Sequence, residues 1–177
     1  VGRIHDIAND LIERTRVPNV PSGVEARAAA LPAPADQASV ELLPTHMDPI
    51  LTEKRMQFRS KTGISIEGRI DASSYGLFAR IQPTEFKRAL SNLVNNAVEA
   101  LGEKGAVAVH LARAEGQVLV RVSDDGKGIP AEILARLGKK GETHGKPGGS
   151  GLGLFHARNR VESCGGRLEI RSEVGRG

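Results

Sequence analysis

Between Pro83 and Leu101 lies a segment that can be stable in few surroundings. Pro83 suits the first position of a helix, Glu85 complements the positive end of its dipole, and Phe86, Leu90, Leu93, Val94, Ala97, Val98 and Leu101 build a broad apolar stripe at helical spacing. Gly102 can stop it. A stripe this wide has to be covered by a large apolar surface, and the residues after it provide one. Val107, Val109 and Leu111 share one side of an expected strand, Val118, Val120 and Val122 one side of the next, and Glu115 and Gly116 fall where a hairpin turn is needed.

The rest of the chain fits around this unit. A strand is expected at Val40–Leu43, followed by a helix within Pro44–Ser60 on which Met47, Ile50, Leu51, Lys54 and Phe58 share a face. Ile64, Ile66 and Ile70, and then Leu77, Ala79 and Ile81, alternate as strands do. Further on, the pattern predicts a short helix at Ala131–Leu137, a longer one at Leu152–Cys164 and a strand at Arg167–Ser172. At the other end, Ile4, Ile7, Ala8, Leu11 and Ile12 make residues 1–16 an amphipathic helix. Residues 17–39, with Pro18, Pro21, Pro32 and Pro34 among alanines, read as a linker, and residues 40–177 as a compact α/β unit.

Composition narrows the functions open to such a chain. With 177 residues there is room for one sizeable core plus an appendage, and 39% hydrophobic with 26% charged residues excludes a chain disordered throughout. No run of 18 apolar residues occurs, so no membrane span is expected here. The start lacks the layout of a signal peptide and an initiator Met, which reads as a fragment. The single Cys164 rules out a disulfide framework and a zinc site of several thiolates. A net charge of +4, no Trp, one Tyr and four Phe leave too little charge and too few stacking platforms for nucleic acid.

Three clusters carry chemistry. Asn92 and Asn96, four apart on the long helix, put two amides on one face beside the stripe, where their hard neutral oxygens suit a Mg²⁺ ion already carrying phosphate and water. Taken alone they read equally well as exposed polar residues, with Asn95 among them. After the last hairpin strand comes Asp124-Asp125-Gly126-Lys127-Gly128-Ile129-Pro130. A carboxylate at a strand end followed by alternating glycines lets the backbone approach a flat ligand while the acid accepts from an amino group such as adenine's; alone, the same residues could be a tight turn. Gly148-Gly149-Ser150-Gly151-Leu152-Gly153-Leu154 leads into a helix and offers backbone amides to an anion. It is neither a Walker A loop nor a dinucleotide fingerprint, since no Lys-Ser/Thr pair or strand-helix alternation accompanies it. Thirteen of the 21 glycines follow Asp125, and the Gly138–Gly149 span, with Lys139, Lys140, His144 and Lys146, has the make-up of a cationic lid over phosphates or of a solvated loop.

In this order and spacing the clusters resemble the catalytic and ATP-binding domain of sensor histidine kinases, members of the GHKL ATPase superfamily. Leu90–Leu101 looks like the family's N box, Val122–Pro130 like its first glycine box and Gly149–Leu154 like its second. The resemblance covers about residues 40–177 and implies an α+β fold: a two-layer sandwich of the Bergerat type, a mixed, mostly antiparallel sheet covered by three helices. It implies that Asp124 binds the adenine amino group, that Gly128 lets the base lie close with Gly126 and Ile129 also binding ATP, and that Asn96 holds Mg²⁺ with Asn92 beside it. Gly149, Gly151, Leu152 and Gly153 would give amides to the phosphates, and Lys146 a lid cation. The function implied is transfer of the γ-phosphoryl of Mg-ATP to a histidine on an upstream dimerisation domain, for relay to a response regulator receiver domain. The setting implied is cytoplasmic, in a protein that is a homodimer at full length, with no nucleic acid and no membrane contact by this part.

The departures are specific. Ile133, Leu134, Leu137 and Gly138 stand where the family's F box would be, and Glu99-Ala100 resembles the nitrogen-regulatory subgroup. The chain ends at Gly177, where the family continues into a final apolar strand. His5, Asp6 and Asn9 echo a phosphoacceptor motif, but the prolines after Val17 cannot supply a second hairpin helix. Residues 1–16 are therefore expected to be the end of the hairpin, with the acceptor elsewhere. A hydrolase of the same superfamily needs a glutamate base at the place of Asn92, and asparagine cannot take that proton. A nucleotide-binding regulatory module without kinase activity remains the other alternative.

Overall fold

The computed structural model describes residues 38–137 and 152–177. The helix expected at residues 1–16 with His5, nearly all of the linker, the Gly138–Gly149 span with Lys146 and Gly149, and Gly151 beyond it lie outside the described residues.

β1 (Ser39–Leu42) opens the described fold and pairs antiparallel with β3 (Phe78–Ile81), Leu42 opposite Phe78. α1 (Leu43–Gln57) follows directly, with Pro44 in its first turn, where a missing N–H costs nothing. β2 (Ile64–Ile70) runs parallel to β4 (Gly105–Ala114), and β4 pairs antiparallel with β5 (Gln117–Asp124), so the three-stranded sheet has the order β2-β4-β5. The parallel pair requires a crossover, supplied by β3 and by α2 (Pro83–Leu101). α3 (Ala131–Leu134) and α4 (Leu152–Ser163) complete the α+β arrangement, whose sheet is mixed as expected.

The core lies between the sheet and two helices. Val107, Val109 and Leu111 of β4 are fully buried beneath Leu90, Val94, Ala97 and Val98 of α2 and Leu43, Met47, Ile50 and Leu51 of α1. Val122 and Val120 stand opposite Val109 and Leu111, so both expected apolar rows meet on one face. Gly68 belongs to the same face. A Cβ there would come within 2.7 Å of Leu51 Cδ1, so the missing side chain is what lets α1 settle on β2.

Some expectations shift. α1 takes in Leu43, expected in the strand, and stops at Gln57, beyond which the chain tightens, Lys61 N–H donating to the Phe58 carbonyl three residues back at 2.9 Å. Leu77 falls just outside β3 yet is buried, its carbonyl accepting from Leu43 N–H at 3.0 Å. The strand expected at Arg167–Ser172 joins no ladder in the described residues. Its period of two survives, with Leu168 and Ile170 half-buried and Glu169, on the exposed side, meeting both Arg167 and Arg171. The neighbouring Ile129 N–H is taken by the Ser172 hydroxyl at 2.8 Å and not by a strand carbonyl.

The β4–β5 hairpin turns on two residues with positive φ, Glu115 at 51° and Gly116 at 77°, the geometry of a type I′ turn. Glycine takes that conformation freely, whereas a glutamate held left-handed costs roughly 1–2 kcal/mol. Glu115→Asn should therefore stabilise the domain by about 0.5–1 kcal/mol, since asparagine tolerates the left-handed region best among residues with a side chain. A raised denaturation midpoint with an unchanged slope would show it; an unchanged midpoint would mean that Glu115 compensates its own strain.

Candidate functional site

The site is assembled around one side of α2. Asn92 is half-buried, Asn96 is exposed, and neither side chain makes a hydrogen bond within the described residues. Asn95 differs: its Oδ1 accepts from Lys54 Nζ of α1 at 2.8 Å. The structure thus separates three asparagines that look alike in sequence, turning one toward α1 and leaving the i, i+4 pair without a side-chain hydrogen bond among the described residues. Among the described residues no group of three or more His, Cys, Asp or Glu is placed to hold a metal ion. The oxygen donors on this face are neutral amides, too few for an all-protein cage and suited to a Mg²⁺ ion that keeps phosphate and water ligands.

The loop after β5 is stitched to the end of the same helix. Lys127 N–H donates to the Ala100 carbonyl at 3.2 Å, and Gly126 is buried against it. The two aspartates divide their tasks. Asp125 Oδ1 accepts from Ala106 N–H at 2.8 Å and so fastens the loop to the start of β4. Asp124 Oδ1 accepts from Gly126 N–H at 3.0 Å, which orients the half-buried carboxylate and leaves its second oxygen without a hydrogen bond among the described residues. At Gly128, φ is +68° and the Glu173 carbonyl occupies the space of a side chain, so only glycine fits. Ile129 follows half-buried, its N–H on Ser172. Gly175 N–H closes the segment onto the Lys127 carbonyl at 2.9 Å.

The third cluster enters at the start of α4. Leu152 opens the helix, and Gly153 lies against Asn92, with space for a Cβ only 3.4 Å from the amide nitrogen. Arg160 further along α4 meets Glu85 of α2 at 3.3 Å, and the cleft between them is lined by Arg88, Ala89, Asn92, His156 and Ala157. Of the residues expected in the site, Asn92 and Gly153 are thus brought close together, and Gly126 reaches the far end of α2 beside Asp124. Lys146, Gly149 and Gly151 lie outside the described residues. Asp125, Ser172 and the Lys54–Asn95 pair went unassigned in the sequence, where nothing but a tertiary contact distinguishes them.

Residues 81–177, a little over half of the chain and all three clusters, match the family described as histidine kinase-, DNA gyrase B- and HSP90-like ATPase. The chain belongs to that family. Its similar proteins are sensor kinases. It is 33% identical over 132 residues to the C4-dicarboxylate transport sensor protein DctB of Rhizobium meliloti, an overlap of 73% of this chain and 21% of DctB. With the circadian input-output histidine kinase CikA of Synechococcus elongatus it shares 30% over 184 residues, covering 100% of this chain and 23% of CikA. To the sensor histidine kinase ZraS of Escherichia coli it is 36% identical over 95 residues, 54% of this chain and 20% of ZraS. The chain thus spans about a fifth of the length of these curated relatives. The nucleotide-free catalytic domain of the histidine kinase ThkA superposes with a TM-score of 0.62 at 25% identity, covering 76% of this chain and 90% of that domain. Full-length ShkA in complex with AMPPNP matches in fold with a TM-score of 0.65 at 22% identity, over 78% of this chain and 29% of ShkA. This family of ATPases and these kinase relatives bear out the resemblance read from the three boxes. No helix among the described residues is long and apolar enough to cross a membrane.

Proposed function

We propose that this ATPase-family chain is the catalytic domain of a two-component sensor kinase, which positions Mg-ATP so that its γ-phosphoryl passes to a histidine on a helical domain. The observation that carries this reading is the joining of Asn92 and Asn96 to the Asp124 loop through the Ala100 carbonyl, with Gly153 of the second glycine box against Asn92. Asp124 takes the adenine amino group beside Gly126, Gly128 and Ile129. Asn96, with Asn92 next to it, faces Mg²⁺, and the amides from Gly149 to Gly153 with Lys146 face the phosphates. Phosphoryl transfer depends mainly on positioning and charge neutralisation, so a site without a strong base suits it. The asparagine at position 92 favours transfer over hydrolysis, because it cannot take a proton from water.

On this reading residues 1–16 belong to the end of the dimerisation hairpin and the linker expected at residues 17–39 ends at residue 38, since Ser39 already pairs in β1. The partners are that hairpin, a second copy of the protein and a response regulator receiver domain, in the cytoplasm. The Glu99-Ala100 pair favours the nitrogen-regulatory type of kinase. The test is to incubate the chain with γ-labelled ATP and a histidine-bearing helical domain of the same protein. Acid-labile label on that domain is expected; release of free phosphate at a comparable rate would favour the hydrolase instead, and ATP binding with neither outcome a regulatory module.

The adenine role has its own test. In Asp124→Asn an amide donor can face the base's amino group, and losing a charge-assisted hydrogen bond is worth about 1.5–3 kcal/mol, roughly ten- to a hundredfold in affinity. Titration should show ATP weakened to that extent and the preference over GTP lost. Equal binding of ATP and GTP by the unaltered chain would overturn the assignment.

A further inference from the structure

Lys54 is the one charged residue on the inner face of α1, among Leu43, Met47, Ile50 and Leu51, and it is only 4% exposed. Burial pushes its ammonium below the usual lysine range, against the influence of the neighbouring Glu53, which itself pairs with Lys87 at 2.9 Å. Two amide oxygens hold the charge: Gln57 Oε1 and Asn95 Oδ1, each at 2.8 Å. As a stability device this is a poor choice. An apolar pair of similar size in such a place is commonly as stable or more so, and asparagine is a weak helix former.

The position of Asn95 gives the pair another use. It precedes Asn96 by one residue and follows Asn92 by three, so a bond that pins Asn95 to α1 sets the rotation of the turn carrying both amides of the site. Gly153 of α4 lies near Asn92, where an added Cβ would stand 3.4 Å from the amide nitrogen. We propose that Lys54, acting through Asn95, is a positioning residue that fixes the azimuth of α2 and thereby aims Asn92 and Asn96 at the metal-phosphate end of the nucleotide. The inference rests on the metal role proposed above for Asn96. Lys54 touches no nucleotide; it fixes the helix that does.

The test replaces the polar pair with an apolar one. Lys54→Met combined with Asn95→Leu should keep or raise the denaturation midpoint, while affinity for Mg-ATP falls roughly ten- to a hundredfold, the scale on which small misplacements act. Affinity for ADP in EDTA, held mainly at the Asp124 end, should stay within about twofold of the unaltered chain. Asn95→Asp, which keeps an oxygen for Lys54, should retain Mg-ATP binding, and it decides the matter should the double variant fail to fold. The proposal is overturned if the folded double variant binds Mg-ATP normally, if both nucleotides weaken equally, or if Asn95→Asp folds but loses Mg-ATP. Asn96→Ala is measured alongside. Its loss of Mg-ATP with normal binding by the double variant removes only the positioning role, whereas normal binding by Asn96→Ala removes the metal reading beneath it.

Discussion

Asn96→Ala will abolish the Mg²⁺-dependent part of ATP binding and leave the fold intact. The side chain is exposed, makes no hydrogen bond among the described residues and contributes nothing to the core beneath α2. Alanine is also the better helix former, by several tenths of a kcal/mol, so stability should hold or rise slightly. What is lost, on the proposed reading, is one hard oxygen for Mg²⁺. Calorimetric titration with ATP, once in Mg²⁺ and once in EDTA, should give two different affinities for the unaltered chain and one weak affinity for the variant. A variant that still gains from Mg²⁺ as the parent does would remove Asn96 from the metal.

Gly126→Val will cost both stability and nucleotide binding. A Cβ at this position would lie 2.7 Å from the Ala100 carbonyl oxygen and 2.7 Å from Asp124 Oδ1. Neither neighbour can give way freely, since the first is backbone at the end of α2, where it also accepts from Lys127 N–H, and the second is the carboxylate already held by Gly126 N–H and proposed above to take the adenine amino group. Overpacking of this kind typically costs about 1–3 kcal/mol, and here the displacement falls on the junction between helix and loop. The denaturation midpoint should drop, with adenine-nucleotide affinity down at least about tenfold. Gly76→Ala is the control: a Cβ there meets nothing within 4 Å, and the change should stay within about 0.5 kcal/mol. Wild-type stability and affinity in Gly126→Val would show that the loop is not clamped to the helix.

The two variants mark which parts of the molecule are legible in its sequence. The long helix was readable to its ends, Pro83 and Leu101, because a proline start, a 3.6-residue stripe and a glycine stop are all local signals. The hairpin was readable for the same reason, since Glu115 and Gly116 interrupt two alternating valine rows. The strand at Arg167–Ser172 misled because alternation reports one half-covered face and is silent about hydrogen-bonded neighbours. Those residues keep the alternation and lack the ladder.

By itself the sequence determined the order of elements, the apolar faces that must meet and the three boxes that carry the chemistry, all written in spacings of a few residues. The tertiary structure alone decided which of three asparagines on one helix turns toward α1 and which of two adjacent aspartates is tied to β4. Those choices rest on contacts between residues far apart in the chain: Lys54 with Asn95 across 41 positions and Asp125 with Ala106 across 19. Side-chain chemistry is identical within each set, so only the packing of α1 on α2 and of the loop on β4 can tell its members apart.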